Sequence, residues 1–315
     1  MKVVALAGGI GAGKFLRGLS RIVDAADLTV ILNVADDVVV HGLHVSPDPD
    51  SVTYWLGDVF DRERGWGRRD ESFRATEELR AFGAPDAWFN LGDLDLATHV
   101  VRTAMLRDGA TMSEAIERVA ERFGVEARLV PVTDDRVETR IDAVDASSGR
   151  RLDLHFQEYW VRRRAADAVK GVRFDGIDAA RPAPGVLEAI ASADVVVLPP
   201  SNPVVSLGPI LAVPGVREAV RARRPVVAGV SGIVGGAPLA GMADKLMPVM
   251  GLEVTAVGAA AAFAGLLGTW VIDERDRALA ARIERTGVRV VVTDTVMRDD
   301  EAAQRLAAVV LDSVT

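Results

Sequence analysis

Four aspartates, Asp36, Asp37, Asp48 and Asp50, fall within fifteen positions of one another. Carboxylate oxygens are hard ligands, so such a cluster suits a divalent cation or an ordered hydroxyl. A second feature lies just upstream. Gly8-Gly9-Ile10-Gly11-Ala12-Gly13-Lys14 follows a short apolar run and opens a stretch of helical spacing. Glycines at such a turn let backbone N–H groups approach an anion, and the helix start adds its positive end. The run nearly spells a nucleoside triphosphate loop, but Phe15 stands where a Ser or Thr hydroxyl would hold Mg²⁺. That disfavours a kinase or ATPase. The dinucleotide fingerprint is broken as well, because Lys14 occupies the place of its last glycine. The competing reading is a tight turn that only needs small residues. Its position after a first strand favours phosphate.

Elements must position these groups. Val3 to Ala7 and Leu28 to Val34 read as buried parallel strands, with Lys14 to Val23 as the helix between them. Asp36-Asp37 would then stand at a strand's C-terminal end, facing the ligand crevice of an open sheet. The stiff loop His41 to Ser51 carries Asp48 and Asp50, and Asp50 or Ser51 is also suited to cap the helix holding Val52, Tyr54 and Trp55. Further strands are expected at Asp194 to Leu198, Pro225 to Val230 and Val288 to Val292, with a closing helix at Asp300 to Leu311. The middle reads as helices at Glu71 to Phe82, Leu94 to Arg107 and Ser113 to Phe123, the last capped by Ser113. A β-hairpin follows, with Arg136 to Ile141 and Arg151 to Phe156 around Ser147-Ser148-Gly149. The fold class is α/β: a Rossmann-like, open, mostly parallel sheet flanked by helices, with an inserted, mostly helical lobe and a β-hairpin. Residues 1–60 plus 181–315 form the nucleotide-binding part, and 61–180 the lobe covering the second substrate.

Bulk properties narrow the class. A net charge of −8 gives no basic face for nucleic acid. Absence of cysteine removes disulfides, thiolate nucleophiles and thiolate-bound metals. His41 and His44 lack a third nitrogen or sulfur ligand nearby, so no transition-metal site is expected there. The stretch from Ala256 to Leu267 falls short of the about 18 residues of a membrane span and reads as a buried helix. The opening MKVVALAGG reads as a strand rather than a signal peptide.

The remaining motifs carry a resemblance. Gly8-Gly9-Ile10-Gly11, Asn33 with Asp36-Asp37, His41-Gly42-Leu43, Ser46-Pro47-Asp48-Pro49-Asp50 and Arg64-Gly65-Trp66-Gly67 stand in order. After them come Leu91-Gly92-Asp93-Leu94-Asp95-Leu96-Ala97-Thr98-His99, His155-Phe156-Gln157-Glu158, Pro200-Ser201-Asn202-Pro203-Val204-Val205-Ser206 and Ala240-Gly241-Met242-Ala243-Asp244. In this combination the chain resembles the 2-phospho-L-lactate transferase family of coenzyme F-420 biosynthesis, over nearly its whole length. The resemblance implies transfer of a phospho-three-carbon acid from a guanosine diphosphate donor to the ribityl hydroxyl of the deazaflavin Fo, releasing GMP. It implies that Gly9, Gly11, Lys14, Asn33, Asp36, Ser201 and Asn202 receive the donor. Asp50, Trp88, Asn90, Asp93 and His99 would meet the deazaflavin, with Trp66 as a further aromatic. Asp48 and Asp50 would be catalytic, and Asp37, Asp48 and Asp50 would hold Mg²⁺. A cytoplasmic homodimer acting on small molecules, away from nucleic acid and membrane, is the implied setting. A non-catalytic nucleotide-sugar-binding regulator on a similar fold is the alternative; it needs neither the Asp48/Asp50 loop nor the Leu91 to His99 segment.

Four positions depart from the family pattern: Ala35 for Gly, Leu94 for Arg, Gly232 for Pro and Ala237 for Lys. The last two lie at a strand's C-terminal end, facing the donor, and leave its acid open among phospholactate, phosphoenolpyruvate and phosphoglycerate. The basic loop with Arg62, Arg64, Arg68 and Arg69 reads first as a solvated face, with contact to that acid's carboxylate as the alternative.

Overall fold

Short, wholly apolar runs become the strands of one parallel sheet, because helices cover both of its faces and leave no side for polar residues. The computed structural model describes residues 1–314; Thr315 lies outside the described residues. The sheet strands are β1 (Val3–Ala7), β2 (Leu28–Leu32), β3 (Arg128–Pro131), β4 (Val195–Leu198), β5 (Val227–Val230), β6 (Thr269–Asp273) and β7 (Arg289–Thr293). Their order is β7-β6-β5-β4-β1-β2-β3. Every neighbouring pair is parallel. The order reverses around β1, which pairs with β2 on one side and β4 on the other. Ligand crevices of such sheets open at that reversal, beyond the strand C-termini.

The helices that matter for function are α1 (Gly9–Leu19), α2 (Pro47–Leu56), α3 (Arg74–Ala81), α4 (Asp93–Arg107) and α5 (Met112–Arg122). Helix α1 starts at Gly9, five residues before the expected Lys14, so most of the glycine run is its first turns. The cap of α5 is Thr111, not Ser113: Thr111 and Glu114 form a reciprocal capping box. Ser113 instead donates from its backbone N–H and hydroxyl to Asp134. Neither Asp50 nor Ser51 caps α2, which begins at Pro47 after Ser46.

Two strands of the main sheet went unread in the sequence. β6 abuts the apolar stretch of Ala256 to Leu267 and merges with it in composition. β3 lies within 61–180 yet forms the edge of the main sheet beside β2, so the chain returns to the sheet midway through the stretch assigned to the lobe. The expected hairpin is present as Glu138–Val144 paired with Arg151–His155, and Ala168–Asp175 adds a third antiparallel strand. No helix among the described residues is long and apolar enough to cross a membrane. One continuous core lies between sheet and helices, with Phe15, Leu16, Leu19 and Trp270 nearly inaccessible.

Candidate active site

The crevice at the sheet reversal is a cavity of about 1050 Å³. Small-molecule pockets usually occupy about 300–1000 Å³, so this one has room for two substrates at once. Gly8, Gly9, Gly11 and Lys14 line one wall, and Pro200, Ser201 and Asn202 close over them from the end of β4. Two glycines here have specific reasons. Gly9 holds φ at +76°, a conformation that costs a residue with a Cβ. At Gly11 a Cβ would run into the backbone carbonyl of Pro200.

Asn33, just beyond β2, is fully buried behind this wall. Its Nδ2 donates to Asp48 at 2.8 Å and to the Val205 carbonyl at 3.2 Å, tying α2 to the loop after β4. The Asn202 Oδ1 accepts from the Val204 N–H at 2.9 Å and shapes the same loop. The buried Ser201 hydroxyl has no partner of its own.

Asp36 and Asp48 face the cavity together. Burial pushes the Asp48 carboxyl up to about 7, helped by the charge of Asp37 and opposed by hydrogen bonds from Asn33 and the Gly9 backbone. Burial, then the charge of Asp48, drives Asp36 well above the ordinary carboxylate range. Asp36 Oδ1 is buried without a hydrogen bond. Two under-compensated carboxylates beside the glycine turn are of the ligand type that a hard divalent ion takes, with water completing its shell. Among the described residues no three His, Cys, Asp or Glu side chains are grouped to hold a metal unaided.

Asp37 points elsewhere. Its Oδ2 accepts from Ser46 at 2.7 Å and contacts the His44 ring at 2.8 Å, within a smaller second pocket. The expected trio of Asp37, Asp48 and Asp50 therefore does not converge, because consecutive residues after β2 diverge and put Asp36, not Asp37, in the cavity.

Asp50 lines the cavity floor and is held from below by Arg102. Arg102 Nη1 donates to Asp50 Oδ2 at 3.0 Å and Nη2 donates to Oδ1. This guanidinium has no exposed surface. His99 sits between, with Nδ1 3.7 Å from Asp50 and Nε2 3.4 Å from Asp95. Tyr54 donates to Asp95 and also contacts Thr98 at 3.0 Å. Burial raises the Asp95 carboxyl, but His99 and Tyr54 outweigh it and hold the group low. Burial pushes the Tyr54 hydroxyl far up, so it stays a donor.

Asp95, Thr98, His99 and Arg102 lie at i, i+3, i+4 and i+7 on α4, one face of the helix. That face is buried, while Leu94, Val100 and Val101 are exposed. The helix is thus turned inside out relative to ordinary amphipathic patterning. Tyr54, Asp95 and Arg102 were missed in the sequence because buried polar residues at this spacing look like a solvent face. The spacing itself was the available signal.

Of the other expected acceptor contacts, Asn90 and His99 line the cavity. Trp88 and Asp93 are not among its lining residues. Trp88 packs edge-on against Phe89, and it is Phe89 that reaches the wall. The Asp93 carboxylate accepts from the Ser72 hydroxyl and from the Arg74 and Ala75 N–H groups, so it caps α3. Trp66, Phe89, Phe156 and Trp160 are among the aromatic residues of the wall, with Tyr54, Phe263 and Trp270. The basic loop is engaged elsewhere: Arg62 pairs with Asp300, and Arg64 with Asp61. Arg69 contacts the Asp58 carbonyl.

Comparison with known proteins gives the family and the fold. A family model described as 2-phospho-L-lactate transferase CofD matches residues 3–313. A phosphoenolpyruvate transferase of Streptomyces griseus subsp. griseus is 48% identical over 313 residues, covering 99% of this chain and 98% of the relative. One from Mycolicibacterium smegmatis is 43% identical over 326 residues, covering 99% of this chain and 98% of the relative. A solved UPF0052-family protein from Bacillus halodurans has a TM-score of 0.65 at 17% identity and covers 98% of each chain, a likeness of fold.

Proposed function

The chain belongs to the 2-phospho-L-lactate transferase CofD family, and from that premise we propose that it transfers a phosphoenolpyruvyl group from a guanosine diphosphate-linked donor to the deazaflavin Fo in coenzyme F-420 biosynthesis. The choice of phosphoenolpyruvate over phospholactate follows the names of the relatives at 48% identity. The observation that carries the reading is one cavity walled by a phosphate turn on one side and by aromatic faces above a buried carboxylate on the other.

The donor's diphosphate would lie against the backbone N–H groups that start α1, with Lys14 and the unpartnered Ser201 hydroxyl as further donors. Burial lowers the Lys14 pKa, and no internal ion pair uses its charge. Fo would stack among Trp66, Phe89 and Trp160. Its terminal ribityl hydroxyl would donate to Asp50, which Arg102 orients from beneath. The hydroxyl oxygen then bonds to the phosphorus carrying the enolpyruvyl group, and the bond from that phosphorus to the GMP oxygen breaks. The hydroxyl proton leaves along its hydrogen bond to Asp50, and GMP carries away the displaced oxygen and its electron pair. Asp36 and Asp48 would hold Mg²⁺, which would supply positive charge to the substrate phosphates. This ligand pair replaces the set of Asp37, Asp48 and Asp50, since Asp37 lies in the second pocket and both Asp50 oxygens are held by Arg102. A cytoplasmic homodimer remains part of the proposal, the dimer because closed two-fold assemblies are the commonest.

The test is binding of purified protein to Fo with and without GDP and Mg²⁺, followed by deazaflavin fluorescence, then turnover with the enolpyruvyl donor. Binding of both ligands and release of GMP support the transferase. GDP binding without Fo binding would favour the regulator instead.

A further inference from the structure

The donor carries a carboxylate in addition to its diphosphate, and the residue that reads that carboxylate is still to be assigned. Arginine is suited to it, because its fork matches two carboxylate oxygens. Nearby arginines are committed: Arg102 to Asp50, Arg62 to Asp300, Arg64 to Asp61, and Arg163 to Asp145 and Asp167. Arg164 is different. It lines the cavity and is exposed, and among the described residues it has no hydrogen bond or ion pair. Lys14 is the other cavity-lining cation without a partner, and it belongs to the phosphate turn.

The backbone around Arg164 supports the assignment independently. Arg164 and Ala165 both adopt left-handed conformations, with φ at +52° and +48°. Each costs an L-residue about 1–2 kcal/mol, and two in succession without glycine is uncommon. They follow a π-helical turn at Glu158–Arg162, an element frequent at functional sites. The strain is held in place from several sides. Arg163 clamps Asp145 and Asp167, the Ala165 N–H donates to the Tyr159 carbonyl at 2.9 Å, and Lys245 donates to the Ala165 carbonyl. Among the described residues no group is satisfied by Arg164 in return. Strain that persists because its surroundings impose it points outward, to a ligand.

We propose that Arg164 is the substrate-binding residue that recognises the carboxylate of the donor's three-carbon acid, and so restricts the enzyme to charged acids. This assignment rests on the transferase reading above. It also explains how the site manages without the arginine loop at 62–69, whose guanidinium groups are engaged elsewhere.

The experiment compares two donors, the enolpyruvyl one and its carboxamide isostere, in wild type, Arg164→Gln and Arg164→Gly. GMP release and GDP affinity are both measured. Wild type should prefer the acid by about 30-fold or more in kcat/KM, the scale of a charge-assisted pair. Arg164→Gln should erase that preference by slowing the acid donor, with the amide donor and GDP affinity changed less than about threefold. Arg164→Gly should lose the preference too, yet melt at a higher temperature, because glycine accepts φ of +52° without cost. A variant that keeps the full preference overturns the assignment alone. So does equal loss on both donors with unchanged GDP affinity. A wild-type chain that releases no GMP from the acid donor overturns the transferase reading, and this assignment with it.

Discussion

Arg102 grips both oxygens of Asp50 from a position with no solvent exposure, so the carboxylate on the cavity floor is fixed by a residue that no substrate can touch. Removing one partner of such a pair leaves the other buried and uncompensated, at a cost of about 3–5 kcal/mol. Arg102→Ala should therefore lower stability by about that amount. The double variant Arg102→Ala/Asp50→Asn should recover part of it, read from urea midpoints. Strict additivity of the two changes would mean that the pair is not coupled.

Asp50→Asn keeps the shape of the floor and removes the charge. GDP affinity should stay near wild type while turnover falls by about 100-fold. Near-normal turnover would take Asp50 out of the reaction.

Asp48 should give the fold a pH dependence in the opposite sense to most carboxylates. Its folded pKa of about 7 lies above the ordinary 3.8, so the folded form holds the proton more tightly than the unfolded chain does. The stability it contributes is full below pH of about 4 and is lost as pH rises through about 7. In chelator, the melting temperature should therefore fall across that window, and Asp48→Asn should flatten the fall. The ceiling is roughly 4 kcal/mol for three pKa units. A melting temperature that rises through the window in wild type and variant alike would remove Asp48 from this role.

Asp93 lies within the segment expected to meet the deazaflavin, yet it caps α3 from a distance. Asp93→Ala should cost about 1 kcal/mol of stability, the usual worth of a cap, and leave Fo affinity unchanged. A tenfold loss of Fo affinity in a stably folded variant would restore the contact.

Gly11→Ala would push a methyl group into the Pro200 carbonyl, across the seam between β1 and β4. Donor affinity should drop by about tenfold or more while Fo affinity is kept, as measured by titration of each ligand. Equal loss of both would signal a folding defect.

The sheet was readable because β1, β2, β4, β5 and β7 are bounded apolar runs, and burial on both faces leaves that trace. The glycine turn at the start of α1 was readable because its glycines follow the first strand. What could not be read was direction. Asp36 and Asp37 are equivalent in sequence, yet only the geometry after β2 decides which one enters the cavity. Asp93 and Asp95 likewise sit two apart at the start of α4, and one caps α3 while the other lines the site. The polar face of α4 was hidden for a related reason. Periodicity shows which residues share a face, but not whether that face meets water or a cavity. Arg164 left no local signal, since its role depends on left-handed backbone that its sequence does not announce.

β1 and β4 lie side by side although Lys2 and Asp194, bonded at one end of the pair, are separated by 192 positions. As a nascent chain emerges from its N-terminus, the glycine turn and α1 come first, but the loop that closes over them comes much later. Bringing such distant segments together carries a large loop-closure cost and slows folding. On the proposed reading, the donor site would therefore close late in folding, and a chain cut before Asn202 would lack the loop that completes it. GDP should act as a pharmacological chaperone only for full-length variants, and not for truncated ones.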